Sequence, residues 1–315
     1  MRIAFVFPGQ GSQSVGMLAG YAGNAAVEDT MKRASAALGQ DLQALIAEGP
    51  AETLGLTVNT QPVLLATSVA FWNAWRAAGG PVPAVMAGHS LGEYSALCAA
   101  GAFSLEDGVK LVRFRAEAMQ SAVPVGVGGM AAIIGLSDAD VLAACREATS
   151  AGGVVEAVNF NSPGQVVIAG EKAALERAVE AAKAKGCRRA VMLPVSAPFH
   201  SSLLKPAAEK LAEKLCTVKI TIPKVPVIAN VDANAHATPD GIRDSLSRQA
   251  CSPVQWVKTI ERMKREGVTH IVECGPGKVL AGLIRRIAPE IRVLGIATAE
   301  QLEAALAELK EIKEE

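Results

Sequence analysis

The stretch Val82-Pro83-Ala84-Val85-Met86-Ala87-Gly88-His89-Ser90-Leu91-Gly92 decides the fold class of this chain. Residues 82–87 form a short apolar run of strand length, and a helical segment follows over residues 93–100. Between them lies a G-x-S-x-G sequence, which forms a sharp strand-to-helix turn in α/β enzymes and exposes its serine. We therefore predict an α/β fold with Ser90 as a candidate nucleophile, next to the positive end of the following helix.

A serine hydroxyl needs a base, and the chain has four histidines. His89 adjoins Ser90 and is expected to point away from the position of a base. We expect His236, in a polar loop, to be solvated, and His270, at the start of an apolar strand, to be structural. His200 remains, at the boundary between a loop and a helix, and elimination favours it as the base.

The third member of such a site is usually a carboxylate that orients the histidine. No acidic residue stands out by its context. The candidates are Asp232, Asp240, Asp244 and Glu273. The residues alone therefore predict a serine acyl-transfer enzyme whose orienting group is unassigned.

Strands and helices alternate outward from this turn, starting with a buried strand at Ile3–Phe7. The alternation changes after Pro124, where the pattern gives strand 130–136, helix 138–149, strand 154–160, strand 165–169, helix 172–185 and strand 188–193. That βαββαβ order is typical of the split ferredoxin-like unit. We predict a parallel-sheet α/β domain formed by residues 1–124 and 194–315, interrupted by a ferredoxin-like subdomain at 125–193.

Three local patterns predict further helices. The sequence Ser104-Leu105-Glu106-Asp107 is a capping box that opens a helix through about residue 122. Ser252-Pro253 is expected to cap a helix through residue 266. An apolar stripe predicts a terminal amphipathic helix that packs on the core, and its members are Leu302, Leu306, Leu309 and Ile312.

The composition is that of a soluble globular protein, with 50% hydrophobic and 20% charged residues among 315. The 31 basic and 31 acidic side chains cancel, which argues against nucleic acid or an anionic membrane as the main partner. The six cysteines form no CxxC pair and no metal-ligand spacing with histidine, so we expect a cytoplasmic chain with no metal site.

Four separated motifs carry a resemblance to a known family. They are Phe7-Pro8-Gly9-Gln10-Gly11-Ser12-Gln13, Gly88-His89-Ser90-Leu91-Gly92-Glu93-Tyr94, Phe199-His200-Ser201 and Pro253-Val254-Gln255-Trp256. In this order they resemble the malonyl-CoA–acyl carrier protein transacylases of bacterial fatty-acid synthesis, and residues 159–165 and 273–277 are also similar. The resemblance extends over essentially the whole chain. It implies an α/β-hydrolase-like domain with a ferredoxin-like insert.

The resemblance also implies how the catalytic groups act. Ser90 would take the malonyl group from CoA as an ester, with His200 as its general base. Backbone N–H groups of Gln10 and Leu91 would form the oxyanion hole. The backbone carbonyl of Gln249 would orient His200, which would explain why no acidic residue stood out.

Substrate recognition follows from the same resemblance. Arg115 would hold the malonyl carboxylate, because a guanidinium can make two parallel N–H bonds to it. Gln61 would line the pocket, and Phe199 accompanies malonyl rather than methylmalonyl in the family. Arg113 lies two positions from Arg115 on the same predicted helix, so the two arginines should point to different sides.

The implied reaction is a ping-pong transfer of malonyl from malonyl-CoA to the phosphopantetheine thiol of acyl carrier protein, by a monomer without a permanently bound cofactor. Since the carrier is acidic, a basic surface is expected, and its candidates are Lys183, Lys185, Arg188 and Arg189. Three alternatives stay open: an acyltransferase for a branched unit such as methylmalonyl, a serine thioesterase or hydrolase, and a non-catalytic module that binds the carrier.

Overall fold

A computed structural model describes residues 1–195 and 197–314, with side chains up to residue 311. The described strands are β1 Ile3–Phe7, β2 Val85–Gly88, β3 Gly128–Ile134, β4 Val155–Ser162, β5 Gln165–Glu171, β6 Arg189–Met192, β7 Val227–Ile228, β8 His270–Glu273 and β9 Arg292–Gly295. They form two sheets.

The first sheet is parallel throughout, with the strand order β7-β2-β1-β8-β9. Its central strand β1 is buried on both faces, as parallel sheets usually are. Alternate side chains of β1 enter two separate apolar clusters, with Phe5 and Phe7 in one and Ala4 and Val6 in the other. The sheet is therefore covered on both sides, as an α/β fold requires.

The helices are α1 Ala25–Leu38, α2 Leu42–Glu48, α3 Ala51–Gly55, α4 Thr57–Ala77, α5 Leu91–Ala99, α6 Leu105–Ser121, α7 Asp138–Ser150, α8 Lys172–Ala184, α9 Lys205–Cys216, α10 Pro239–Gln249, α11 Trp256–Arg265, α12 Val279–Ile287 and α13 Ala299–Glu314. Short 3₁₀ turns lie at Ala19–Tyr21 and Ser202–Leu204. None of the helices in the described part of the chain is long and apolar enough to span a membrane.

The second sheet is antiparallel, with the order β4-β5-β3-β6. Its strands and the helices α7 and α8 follow one another in the predicted βαββαβ order. One face packs on α7 and α8 through an apolar cluster that includes Val141 and Leu175. The other face packs through Met130 against Met119 of α6 and the Phe199 ring. The α/β class and the smaller antiparallel subdomain are thus as predicted; the domain boundaries at 124/125 and 193/194 stay a prediction.

Backbone hydrogen bonds join β4 to the segment that precedes α11. Phe160 N–H donates to the carbonyl of Val254 at 3.0 Å, and Val254 N–H donates to the carbonyl of Val158 at 2.8 Å. The segment before α11 therefore runs alongside a strand of the antiparallel sheet.

Most predicted elements are present, with shifted ends. The Ser104 hydroxyl caps α6 by accepting the N–H of Asp107 at 3.0 Å, as predicted. The prediction for α11 was wrong at its start, because the helix begins at Trp256 after Gln255 rather than at Ser252-Pro253. Strand β2 begins at Val85, because the preceding residues 82–84 make no regular sheet pairing.

Two short helices, α2 and α3, were not predicted. They are held by side chains that reach the core, such as Leu42, Ile46 and Leu54, rather than by a long apolar repeat. The terminal helix α13 packs on the same core through Leu302, Leu306 and Leu309, as predicted. The side chain of Ile312, the fourth predicted member of that stripe, lies outside the described residues.

Candidate active site

Ser90 occupies a strained turn between β2 and α5, with φ 52° and ψ −111°. A non-glycine residue adopts such a conformation only where the surrounding structure imposes it. The flanking glycines allow the close packing: a Cβ on Gly88 would lie 1.8 Å from the carbonyl carbon of Gly92, and one on Gly92 would lie 2.0 Å from the carbonyl oxygen of Phe7. The G-x-S-x-G spacing therefore forms the predicted elbow.

His200 lies against this serine, with 2.7 Å between its Nε2 and Ser90 Oγ. Its side chain is buried, and its backbone also has a positive φ of 65°. Burial, together with the nearby positive charge of Arg115, lowers the pKa of His200 from 6.5 to about 3. The imidazole is therefore neutral at physiological pH and can accept a proton.

The backbone carbonyl of Gln249, at the end of α10, lies 2.8 Å from Nδ1 of His200. A carbonyl oxygen can only accept, so Nδ1 carries the proton and Nε2 presents a lone pair to Ser90. The four carboxylates considered from the sequence have other partners: Asp232 is next to His236 and Arg248, Asp240 to Arg243, Asp244 to Arg248, and Glu273 to the N–H groups of Leu280 and Ala281. The backbone carbonyl of Gln249 therefore lies where a group that orients the histidine would be, the group that the residues alone left unassigned.

The other three histidines lie away from the hydroxyl of Ser90. His89 Nε2 is 2.7 Å from Asn161 Oδ1, on the opposite sheet. His236, expected in solvent, is partly buried at 3.2 Å from Asp232. His270 begins β8 and contacts the neighbouring Thr269 hydroxyl. The elimination that favoured His200 agrees with these positions.

Arg115 projects from α6 into the site and is only 1% exposed. Its guanidinium donates to Gln61 Oε1 and to Gln249 Oε1, each at 2.9 Å, and its Nη2 lies 3.3 Å from Ser90 Oγ. Burial lowers the pKa of this guanidinium from its ordinary value. Within the described residues it forms no salt bridge; its guanidinium carbon lies 5.1 Å from the centroid of the Tyr94 ring.

Arg113 points away from the site, as its spacing predicted. Its Nη2 donates to Gln40 Oε1, and its side chain is partly buried on the other side of α6. Arg113 and Arg115 therefore differ in location although both belong to one helix.

Gln10 and Leu91 line the cleft that contains Ser90. Leu91 begins α5, so its N–H has no acceptor within the helix. Across the described part of the chain, neither backbone amide has a protein acceptor. The Gln10 side chain is held by the Thr57 hydroxyl at 3.2 Å. N–H groups without an acceptor, on residues that line the same cleft as Ser90, suit a developing oxyanion.

The cleft encloses about 230 Å³ of space open to water and is lined from both sheets. The parallel-sheet side contributes Ser90 and α12, and the antiparallel side contributes Met130 and Val167. Phe199 lines it next to the base, and Gln61 lines it next to Arg115. Every side chain predicted for catalysis or substrate recognition therefore lies in this one cleft or directly behind it.

Two residues that were not predicted from the sequence hold the elbow in place, Asn230 and Glu93. Asn230 Oδ1 accepts the N–H of Ser90, and its Nδ2 donates to the carbonyl of Gly88, both at 2.7 Å. Glu93 is buried in α5 and accepts the N–H of Asn230 at 2.9 Å. The available signal was a carboxylate inside an otherwise apolar helix, three residues after the serine.

The four basic residues proposed for carrier docking lie at the surface of the antiparallel subdomain. Lys183 pairs with Glu180, and Lys185 lies near Glu147. Arg188 and Arg189 are exposed. None of the four lines the cleft. In the described residues there is also no group of three or more His, Cys, Asp or Glu side chains placed to hold a metal ion.

A serine elbow with a neutral histidine, on a parallel α/β sheet joined to a small antiparallel subdomain, defines a serine acyltransferase. Comparison with known proteins agrees with this class: residues 4–301 match the model of the acyl transferase domain. The malonyl CoA-acyl carrier protein transacylase of Salmonella typhimurium is 55% identical over 306 residues, covering 97% of this chain and 99% of that protein.

Solved structures give the same result. The acyl-carrier-protein S-malonyltransferase of Burkholderia pseudomallei has a TM-score of 0.96 and 58% identity, covering 98% of this chain and 100% of the other. A malonyl-transacylase in complex with a type II PKS acyl-carrier protein has a TM-score of 0.96 and 48% identity, covering 98% and 100%. The chain belongs to the malonyl CoA-acyl carrier protein transacylase family.

Proposed function

We propose that this protein transfers a malonyl group from malonyl-CoA to the phosphopantetheine thiol of acyl carrier protein, through a malonyl ester on Ser90. The observation that carries the proposal is the buried guanidinium of Arg115, 3.3 Å from the Ser90 hydroxyl and without a carboxylate partner among the described side chains. A substrate carboxylate one carbon beyond the acyl carbonyl would supply that partner.

In the first half-reaction, Ser90 Oγ attacks the thioester carbonyl while its proton passes to His200 Nε2, 2.7 Å away. The backbone N–H groups of Gln10 and Leu91 donate hydrogen bonds to the developing oxyanion. Collapse breaks the carbon–sulfur bond, and the proton on His200 passes to the sulfur of CoA. The products are malonyl-Ser90 and free CoA.

In the second half-reaction, the carrier's phosphopantetheine thiol gives its proton to His200 and its sulfur attacks the ester carbonyl. The same amides donate hydrogen bonds to the oxyanion, and its collapse breaks the bond between the acyl carbon and Ser90 Oγ while His200 returns the proton to that oxygen. The products are the malonyl thioester of the carrier and free Ser90. The Gln249 carbonyl supports both halves, since its hydrogen bond with Nδ1 keeps the imidazole in the required tautomer.

Arg115 supports selection of the acyl group. Malonyl-CoA offers it a carboxylate to bind directly, whereas acetyl-CoA offers no such group and leaves the guanidinium without a carboxylate in direct contact. Phe199 lines the same cleft, and we propose that its ring leaves no room for the α-methyl group of methylmalonyl. This arrangement favours malonyl over methylmalonyl.

The remaining parts of the proposal concern the setting of the reaction. We propose that residues 125–193 form a separate subdomain. We also propose that the protein is a cytoplasmic monomer without a permanently bound cofactor, and that it binds neither nucleic acid nor a membrane. A related transacylase forms a complex with its carrier protein, which supports a carrier protein as the acceptor. Lys183, Lys185, Arg188 and Arg189 stay candidates for carrier docking, because all four are exposed basic groups.

The proposal is tested by following malonyl-CoA with and without carrier protein. We expect malonyl-carrier to form only when the carrier bears its phosphopantetheine thiol, with little free malonate. The carrier without its prosthetic group is the matched control. Steady release of malonate without carrier would instead identify a hydrolase, and preferential transfer of methylmalonyl would identify a branched-unit acyltransferase.

A further inference from the structure

Glu93 is a buried acidic group that the proposed reaction does not use. It lies in the first turn of α5, three residues after the serine, and is 1% exposed. A carboxylate so far from water requires strong hydrogen-bond donors. Its Oε2 accepts two of them, the backbone N–H of Asn230 at 2.9 Å and the side-chain Nε2 of Gln249 at 2.7 Å.

Gln249 serves three parts of the site at once. Its backbone carbonyl holds His200, and its Oε1 accepts from Arg115 at 2.9 Å. Its Nε2 donates to Glu93 and to the carbonyl of Ser90 at 3.0 Å. The direction of this amide therefore decides what Arg115 faces: an oxygen that accepts, or an NH₂ group that cannot.

The hydrogen-bond network assigns one direction. The Oε2 atom of Glu93 acts as an acceptor toward both of its partners, so it draws the NH₂ side of the Gln249 amide toward Glu93 and turns the oxygen toward Arg115. The backbone N–H of Asn230 donates to the same oxygen of Glu93. The side chain of Asn230 in turn forms hydrogen bonds with the backbone of Ser90 and Gly88. One acceptor thus supports both the nucleophile elbow and the arginine.

We propose that Glu93 is a positioning residue that sets the direction of the Gln249 amide and thereby keeps Arg115 ready for the substrate carboxylate. The inference rests on the proposed malonyl transfer. Glu93 itself touches neither Ser90 Oγ, His200 nor Arg115 by a hydrogen bond in the described structure. Burial raises the pKa of this carboxyl to about 7, while the two donors and the charge of Arg115 oppose that shift.

The test is the rate of Ser90 acylation by malonyl-CoA divided by that by acetyl-CoA, measured for wild type and variants. This ratio is independent of the fraction of folded enzyme, so a purely structural defect leaves it unchanged. We expect Glu93→Ala to lower the ratio about tenfold, the order of effect of losing one hydrogen bond to a charged group. In an Arg115→Ala background the same change should have no effect on the ratio.

Two further variants separate the acceptor from the charge and serve if Glu93→Ala does not fold. Glu93→Gln removes the charge but keeps an oxygen at full reach, so its ratio should stay within about threefold of wild type. Glu93→Asp keeps the charge but is one methylene shorter, so its ratio should fall further than that of Glu93→Gln. Glu171→Ala is the matched control, because that carboxylate also accepts a backbone N–H, from Val154, but in the other sheet.

The outcomes are distinct. A lowered ratio in Glu93→Asp with a nearly normal ratio in Glu93→Gln supports the proposal. Malonyl-to-acetyl ratios equal to that of wild type in both variants would overturn the proposal. A normal ratio in Glu93→Asp together with a lowered ratio in Glu93→Gln would also overturn it, because the charge of Glu93 rather than its acceptor oxygen would then determine the ratio. Failure of wild type to form malonyl-Ser90 would refute the proposed function itself.

Discussion

The Nδ1 atom of His200 lies 2.8 Å from the backbone carbonyl of Gln249. A main-chain dipole therefore takes the position that a carboxylate holds in the Ser-His-Asp arrangement. A carbonyl fixes the tautomer as a carboxylate does, but it places no full negative charge beside the imidazole. This difference accords with the pKa of His200, which burial and Arg115 lower to about 3.

Replacing His200 tests its proposed role as base. We expect His200→Ala to slow acylation of Ser90 by about 10²–10⁴-fold, the usual contribution of a positioned base. Rapid mixing with malonyl-CoA and quenching at short times gives this rate. Acylation at the wild-type rate would show that another group accepts the proton.

Acid should weaken the fold through the same imidazole. The unfolded chain binds a proton at a pKa of 6.5, whereas the folded chain does so only at about 3, so the free energy of unfolding falls as pH drops below 6.5. The buried carboxyls of Glu93 and Glu273, with pKa raised to about 7, act in the opposite direction. The contribution of His200 is therefore measured as a difference between wild type and His200→Gln.

Between about pH 6 and 4, wild type should lose up to about 1.4 kcal/mol per pH unit relative to His200→Gln. Urea unfolding at pH 7, 6, 5 and 4 provides the comparison. If both proteins show parallel pH dependences, the imidazole is not held neutral in the folded state.

Replacing Arg115 should slow the reaction with malonyl-CoA much more than the reaction with acetyl-CoA. Arg115→Ala should lose about 2–5 kcal/mol of transition-state stabilisation with malonyl-CoA, the range for removing one partner of a buried charge pair. The slow reaction of acetyl-CoA should stay level or improve. Arg115→Lys should recover only part of the loss, because an ammonium cannot make the two parallel bonds.

Arg113→Ala is the control for that experiment, since Arg113 contacts Gln40 away from the cleft. Its acylation rates should change little. Equal losses for malonyl and acetyl in Arg115→Ala would make Arg115 structural, and a large effect at Arg113 would mean that the other arginine binds the carboxylate.

Phe199 should restrict the acyl group. Its ring lines the cleft beside His200, so Phe199→Ser should raise methylmalonyl transfer relative to malonyl transfer. Competition between the two thioesters for one enzyme sample measures the ratio directly. A ratio that matches wild type would show that the ring does not limit the acyl pocket.

Patterns local in sequence predicted the fold well. The apolar run Ile3–Phe7 coincides with β1, and the G-x-S-x-G spacing predicted the elbow, because only glycine allows such close backbone contacts there. The helices α2 and α3 escaped prediction because they are too short for a clear apolar repeat. Burial of Leu42 and Leu54 in the core holds them instead.

The site was predictable only where one residue type carries the chemistry. Ser90 and His200 could be proposed from the residues alone, whereas proposing Gln249 and Arg115 needed the resemblance, and the roles of all four stay predictions. Asn230 acts through contacts with a turn about 140 positions earlier, and no local pattern encodes such a pair. Folding brings these groups together, so their proximity becomes visible only in three dimensions.

The most direct test of the account is the mass of the peptide that contains Ser90 after brief exposure to malonyl-CoA, with Ser90→Ala as the matched control. We expect one malonyl increment on that serine in wild type, its disappearance when acyl carrier protein with its phosphopantetheine is added, and none in the variant. A malonyl group on any other residue, or no covalent adduct while transfer to the carrier proceeds, would contradict it.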